Sequence, residues 1–343
     1  MIVFRWLSML LIGCVVIMLL PILLALLILA LPFFAIADWR KRRRFRFRGG
    51  LPQEHQRTLR GKGKSLEQLA AWLDCDQHEL ERFHPRYRSA MIPKRRGGKR
   101  RLEIPDEETK RLQRLILRRL LKNLHCHDAC HAYEQGRSTV SHASLHVDQA
   151  VVIKADITDF FESTTAERVD YYFRRIGWDA DAAACLTRLV THDGHLPQGA
   201  PTSPRLSNLV NQHLDNVITR MVTRYRGTYT RYSDDMVFSF PKDYPRKVRG
   251  IIQKLRIYLR KNGYQLNDRK LLILRQHQQQ RVTGLVVNQR VNIPRKQRRL
   301  LRAVVHRMQT GGKPTMTPEQ LHGWMAYLGM VEQASPKPGT ATR

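Results

Sequence analysis

Acidic side chains are scarce in this sequence: 29 aspartates and glutamates stand against 60 lysines and arginines in 343 residues, a formal excess of +31 at pH 7. A surface so one-sided repels itself and is tolerated where phosphates sit among the charges. The balance therefore argues against a small acidic substrate and for nucleic acid, with an anionic membrane surface as the other candidate polyanion. Cysteine is sparse as well. Cys14, Cys75, Cys126, Cys130 and Cys185 show no pairing pattern, which excludes a disulfide scaffold and fits a reduced, cytosolic body. No internal repeat and no long low-complexity segment is present. With 42% apolar residues the chain is long enough for two or three packed units besides any membrane segment, and it is not a disordered tail.

A further absence is of charge near the N-terminus. From Trp6 to Ala37 no side chain is charged, and Leu, Ile, Val, Met, Phe and Ala fill nearly every position. This exceeds the ~20 residues that span a bilayer, and it is too long for the apolar part of a cleavable signal peptide, about 7–15 residues. Pro21 and Pro32 each remove a backbone donor, so the span is either a tilted full length or the stretch before Pro32. Arg5 precedes the run, whereas Arg40, Lys41, Arg42, Arg43, Arg44, Arg46 and Arg48 follow it. The positive-inside rule then puts everything after residue 40 in the cytoplasm, with Trp6 and Trp39 near the two interfaces. The basic run itself suits anionic lipid heads, or alternatively a nucleic-acid backbone.

Residues 49–64, rich in Gly, Gln, Arg and Lys, read as a linker before a helical region from Ser65 to Phe83, where Ser65 followed by Gln68 has the form of a capping box. The stretch from Ile92 to Pro105, with Gly97-Gly98 in the middle, predicts a basic hairpin, and Glu107–Leu124 predicts a helix. His125 to His131 offers several zinc-type ligands within seven residues, but the spacing matches no finger or ribbon and no second ligand pair follows. Beyond it the pattern alternates. Strands are expected at Val151–Ile157, Thr228–Tyr232, Met236–Phe240, Leu271–Leu274 and Val282–Val287, and helices at Ala166–Ile176, Pro204–Arg224 and Arg246–Asn262. That order predicts an α/β (α+β) body with a small antiparallel sheet backed by helices.

The chemistry concentrates in three aspartates. In Tyr232-Ser233-Asp234-Asp235, strand-prone flanks on both sides make the turn short and put two carboxylates at a hairpin tip; alone, such a pair is an ordinary solvated turn. Asp156 ends the apolar run of a neighbouring strand. Three carboxylates meeting at strand ends are a hard-oxygen site for Mg2+. Two such ions, ~3.5–4 Å apart, activate an attacking 3′-hydroxyl and stabilise a leaving pyrophosphate. In-line phosphoryl transfer then needs little from the protein beyond positioning and basic groups for a triphosphate. Leu196-Pro197-Gln198-Gly199-Ala200-Pro201 is a Pro- and Gly-bounded loop leading into a helix, and it puts Gln198 near an incoming nucleotide or template.

Asp156-Ile157-Thr158-Asp159-Phe160-Phe161, Leu196-Pro197-Gln198-Gly199 and Tyr232-Ser233-Asp234-Asp235 together resemble, in order and separation, motifs A, B and C of reverse transcriptases. Gly263 to Lys270 is similar to motif D. The resemblance covers roughly residues 85–335. Within that superfamily the chain resembles the retron-type bacterial enzymes: Val282-Thr283-Gly284 is similar to their Val-Thr-Gly segment, and Leu321 to Leu328 to their thumb. Where retrons carry Asn-Ala-x-x-His this chain has His142-Ala143-Ser144-Leu145-His146. The first position departs, which puts its RNA-contacting role in doubt; the N-terminal anchor departs further, because most retron enzymes are soluble.

The resemblance implies a right-hand polymerase with fingers, a ferredoxin-like palm and a short helical thumb, and the apolar run puts a transmembrane helix before it. Its segments are an anchor with its basic run at 1–48, linker and fingers at 49–150, palm at 151–289 and thumb at 290–343. It implies two Mg2+ ions held by Asp156, Asp234 and Asp235, with help from the Ile157 carbonyl. Phe161 excludes a ribose 2′-hydroxyl, Arg100 with Lys94 and Arg101 holds the triphosphate, and Lys270 acts as general acid for pyrophosphate. The implied partners are deoxynucleoside triphosphates, a noncoding RNA serving as template and primer, its DNA product and an effector protein. The implied outcome is a branched multicopy single-stranded DNA used in anti-phage defence; the apolar run with its basic flank, rather than the resemblance, places the enzyme at the bacterial inner membrane. Two other readings stay open: a defence-associated reverse transcriptase without branched priming, and an inactive membrane-anchored RNA-binding scaffold.

Overall fold

The computed structural model describes residues 63–94 and 97–334. The expected membrane anchor, the basic run after it and most of the linker lie outside these residues. Among the described residues no helix is long and apolar enough to cross a membrane. The chain divides into two compact units, and the described part of the smaller is Leu66–Phe83. The helix expected over 65–83 is here two, α1 (Leu66–Leu73) and α2 (Gln77–Arg82). Asp74 between them has a φ of +57°, incompatible with continuing a helix, and Asp76 restarts it by accepting from the Glu79 amide at 3.1 Å.

The larger unit begins its regular structure with the predicted hairpin. Strands β1 (Tyr87–Pro93) and β2 (Lys99–Pro105) pair antiparallel, Ile92 opposite Arg100. Helix α3 (Glu107–Ile116), capped by the Asp106 carboxylate on the Thr109 amide at 2.8 Å, runs into a π-helical turn at Leu117–Leu121. The short α4 (Thr139–Ser144) was not foreseen; Ser138 and Ser141 cap it reciprocally.

The central sheet is built from β3 (Val151–Asp156), β4 (Thr228–Tyr232), β5 (Asp235–Phe240) and β6 (Leu272–Arg275), in the order β4-β5-β3-β6 with every neighbour antiparallel. In chain rank this is 2-3-1-4, the split arrangement expected of the palm. Its helices are α5 (Ala166–Arg175), α6 (Ala180–Val190), α7 (Ser203–Val210), α8 (Gln212–Thr223) and α9 (Pro245–Lys261). Alternate residues of β3 feed two cores. Val151, Ile153 and Ala155 pack with Ile218, Val222, Ile251 and Leu255, whereas Val152 packs with Val140, Ala143, Val282 and Leu301. Because both faces are covered, the strand is apolar on both sides apart from Lys154 and the terminal Asp156.

Two expected elements come out differently. The helix expected over Pro204–Arg224 is broken at Asn211, whose side chain donates to the Ser207 carbonyl and accepts from Arg168, both at 2.8 Å. The strand expected over Val282–Val287 is a miniature hairpin, β7 (Arg281–Val282) and β8 (Leu285–Val286), because Thr283 and Gly284 take φ values of +44° and +89°. The C-terminal helices α10 (Arg295–Gln309) and α11 (Pro318–Gln333) follow. Helix α10 buries Leu301 and Val304 and exposes Arg295, Lys296, Arg298, Arg299, Arg302 and Arg307. Arg290, before it, is exposed too.

Candidate active site

The three aspartates meet because of strand register. Asp156, the last residue of β3, lies directly opposite Asp235, the first of β5. Directly opposed residues share a face, with Cβ atoms roughly 4.5–5.5 Å apart. Tyr232 pairs with Asp235, so Ser233 and Asp234 form a two-residue turn, and Ser233 takes the left-handed φ of +62°. The Ile157 amide donates to the Asp234 carbonyl at 3.1 Å and ties the turn to the end of β3.

Asp156 is buried, and its carboxylate accepts from Lys270 Nζ at 2.7 Å and Asn267 Nδ2 at 3.3 Å. The Asn267 amide donates to the Asp156 carbonyl at 2.8 Å. Burial raises the Asp234 carboxyl above its ordinary range, and Asp156 adds to this; Asp235 is raised by burial and then by Asp234. Such a cluster demands a cation. Lys270 supplies one: burial works against its charge, but its hydrogen bond to Asp156 and the field of the three carboxylates raise it overall.

A buried frame supports the turn. Arg231, with only 1% of its surface exposed, sits inside the protein paired with Asp215 at 2.7 Å. Its guanidinium also donates to the Ser233 carbonyl at 3.2 Å, to Asn208 Oδ1 at 3.2 Å and to Cys130 Sγ at 3.0 Å. Tyr229 donates to Asp215 at 2.7 Å. Burial opposes the charge on Asp215, yet Arg231 and these donors hold its carboxyl below the usual range. One residue along, Thr230 Oγ1 meets His142 Nε2 at 2.6 Å and His146 Nε2 at 2.7 Å, and His146 Nδ1 meets Ser239 Oγ at 2.8 Å. His142, unlike its expected counterpart, is fully buried in this network. The zinc-type cluster at 125–131 is spent on other bonds: Cys130 donates to Asp215 at 3.3 Å, and His127 Nδ1 accepts from the Ala129 amide at 3.0 Å.

The other predicted residues separate by position. Arg100 is exposed on β2, and its charge acts on Asp234 and on Tyr133, whose hydroxyl donates to Ser233 Oγ at 3.0 Å. Arg101 instead turns to Glu103 and Asp193, at 3.5 Å and 3.6 Å. Lys94 is exposed at the hairpin turn. Phe161 is partly buried against the core, its ring 5.5 Å from Phe160. Ile157 follows Asp156 and bridges Leu266. The Gln198 carbonyl accepts from the Glu103 amide at 2.9 Å, which docks the loop on β2. Gly199 beside it has a φ of +135°, and a Cβ there would sit 2.8 Å from the Glu103 carbonyl oxygen, so only glycine fits. Asn267, Arg231, Asp215 and Tyr133 were not singled out from the sequence. Asn267 lay inside the segment similar to motif D, and the others carried no signal.

The family described as reverse transcriptase (RNA-dependent DNA polymerase) matches residues 92–287. Retron Mx162 reverse transcriptase from Myxococcus xanthus is 33% identical over 282 residues, covering 72% of this chain and 58% of that protein. Retron Mx65 reverse transcriptase from the same organism is 35% identical, covering 72% and 62%, and Retron Ec86 reverse transcriptase from Escherichia coli is 31% identical, covering 73% and 78%. The chain thus spans about three fifths of the length of the two Myxococcus relatives. Among solved structures, telomerase from Candida albicans is similar at a TM-score of 0.45 and 10% identity, over 68% of this chain and 52% of that one. The chain belongs to the reverse transcriptase family, among its retron-type members.

Proposed function

We propose that the chain is the RNA-directed DNA polymerase of a retron, copying part of a partner noncoding RNA into single-stranded DNA from deoxynucleoside triphosphates. The observation that carries this reading is the register that sets Asp156 opposite Asp235, with Asp234 on the adjoining turn and Lys270 on Asp156. An all-carboxylate donor set at strand ends fits Mg2+, and the raised carboxyls of Asp234 and Asp235 show the charge an ion would relieve. Asp156, Asp234 and Asp235, with the Ile157 carbonyl, would hold two Mg2+ ions, which when bound would activate the 3′-hydroxyl and stabilise the leaving pyrophosphate.

The chain's own residues do the rest. Lys270 orients Asp156 and carries a proton at Nζ that it can hand to pyrophosphate. Arg100, with Lys94, neutralises the triphosphate, and Phe161 excludes a 2′-hydroxyl. Gln198, anchored by its carbonyl to β2, faces the nucleotide or template. The exposed cations of α10 suit a structured RNA backbone. Priming from a guanosine 2′-hydroxyl, a branched product, an effector and a defence role follow from kinship with retrons.

The uncharged run from Trp6 to Ala37, followed by its cluster of arginines, supports a tether at the bacterial inner membrane with the catalytic body on the cytoplasmic side. Deleting residues 1–38 should release the protein from the membrane fraction and impair defence; intact defence would refute a working role for the tether.

The reading is tested by expressing the gene with its flanking DNA and comparing wild type with Asp234→Ala after ribonuclease treatment. A short discrete DNA that vanishes in the variant and shifts on debranching is expected. Absence of DNA in the wild type would overturn the reading.

A further inference from the structure

A second cluster of ligating side chains lies away from the aspartates. His192 and His195 close a tight turn with mutual backbone hydrogen bonds of 2.9 Å and 3.0 Å, and Asp193 and Gly194 between them take left-handed φ values of +48° and +78°. The turn sets three of its side chains beside the buried Glu103 of β2. Ligand atoms of Glu103, His192 and Asp193 all lie within 4.8 Å of one another. His195 Nε2 is 3.1 Å from Glu103 Oε2, and His192 Nε2 is 3.6 Å from Asp193 Oδ2. A tetrahedral zinc ion with bonds of about 2.0–2.2 Å spaces its donors roughly 3.3–3.6 Å apart, so Glu103, His192 and Asp193 would draw in from separations of at most 4.8 Å to hold one.

His195 fixes the position of Glu103 from the other side of the turn. Its Nδ1 is 3.1 Å from the Asp193 carbonyl oxygen, which only accepts, so Nδ1 carries the hydrogen. Nε2 lies 3.1 Å from Glu103 Oε2, so the ring ties that carboxylate to the turn as an outer-shell partner orients a metal ligand. The His192 ring is fixed as well, stacked on Tyr87 with centroids 4.3 Å apart, and Gln113 holds the Tyr87 hydroxyl at 2.6 Å.

We propose that Glu103, His192 and Asp193 form a binding site for a zinc-class divalent cation, with water completing its shell and His195 positioning Glu103, which pins β2 to the loop carrying Gln198. An imidazole among the donors suits Zn2+ rather than Mg2+, whereas the three-aspartate cluster is all oxygen. Arg101 occupies the same carboxylates and also donates from Nε to Ser89 Oγ at 3.3 Å, but its side chain is half exposed, so guanidinium and metal compete. The site does not depend on the polymerase reading.

The test uses the full chain, stripped with a chelator and titrated with Co2+, with Zn2+ as the displacing ion. One equivalent giving the intense visible absorption of tetrahedral cobalt is expected. His192→Ala and His195→Ala, checked for folding by circular dichroism, should bind at least about tenfold more weakly. Asp234→Ala should leave the signal unchanged, and Arg101→Ala should strengthen binding. No tetrahedral signal, a signal retained in both histidine variants, or one lost instead in Cys126→Ser or Cys130→Ser would overturn the proposal, as would an Arg101→Ala variant that binds no more tightly.

Discussion

Arg231 is one of 60 basic residues, and nothing in its neighbours distinguishes it from those that face solvent. Its position decides its role, because a strand residue two before the Ser233-Asp234 turn points into the core beside that turn. With Asp215 it makes a buried pair whose removal on one side leaves an uncompensated charge. Asp215→Asn should therefore cost about 3–5 kcal/mol in urea unfolding, and DNA synthesis should fall along with it because the Ser233 carbonyl loses a rigid donor. A second residue-scale expectation concerns pH. Burial, with cationic neighbours assisting, lowers His131 to about 4, His142 to about 2 and His146 to about 3, so all three are neutral in the fold. Unfolded histidine titrates near 6.5, so below that pH the unfolded chain binds more protons and stability falls as pH drops from about 6.5 toward about 4. Each histidine contributes a slope approaching about 1.4 kcal/mol per pH unit in that window. Urea midpoints measured across it should decline steeply, and His146→Gln should make the decline shallower.

At the scale of elements, the contact between β2 and the Gln198 loop is closed by a backbone hydrogen bond and by a glycine that tolerates no side chain. Gly199→Ala should force the two apart, with a loss of about 1–3 kcal/mol in thermal unfolding and a raised KM for nucleotide. Elements were legible where local chemistry settled them. The runs Thr228–Tyr232 and Met236–Phe240 are β-branched and aromatic on both sides of a short polar turn, so the hairpin and its carboxylates followed directly. The break at Asn211 was not legible, because it depends on Arg168, distant in the chain, and on the Tyr264 hydroxyl, which accepts from Asn211 Nδ2 at 2.8 Å. At 282–287 the apolar alternation looked like a strand, and the left-handed backbone at Thr283 and Gly284 overrode it. The triphosphate candidates were equivalent as letters. Strand alternation separated Arg100 from Arg101 by sending them to different partners.

Over the whole molecule, the charge excess was readable from composition, but its arrangement was not. Helix α10 turns Leu301 and Val304 inward and six cations outward, making one basic ridge out of a diffuse surplus. Binding to a single-stranded RNA should weaken steeply with salt, at a slope of about −0.7 for each phosphate engaged. Replacing Arg298, Arg299 and Arg302 with glutamine should lower that slope by about 2 in filter-binding titrations, with little change in thermal stability because all three are exposed.

The sheet order bears on how the protein is made. The central strand β3 is flanked by β5 and β6, both of which emerge from the ribosome long after it, and Lys270 meets Asp156 across 114 positions of chain. A nascent chain halted before residue 270 exposes an unpaired edge of β3 and lacks the lysine that meets Asp156, so during translation the half-built sheet is the part most in need of chaperone protection.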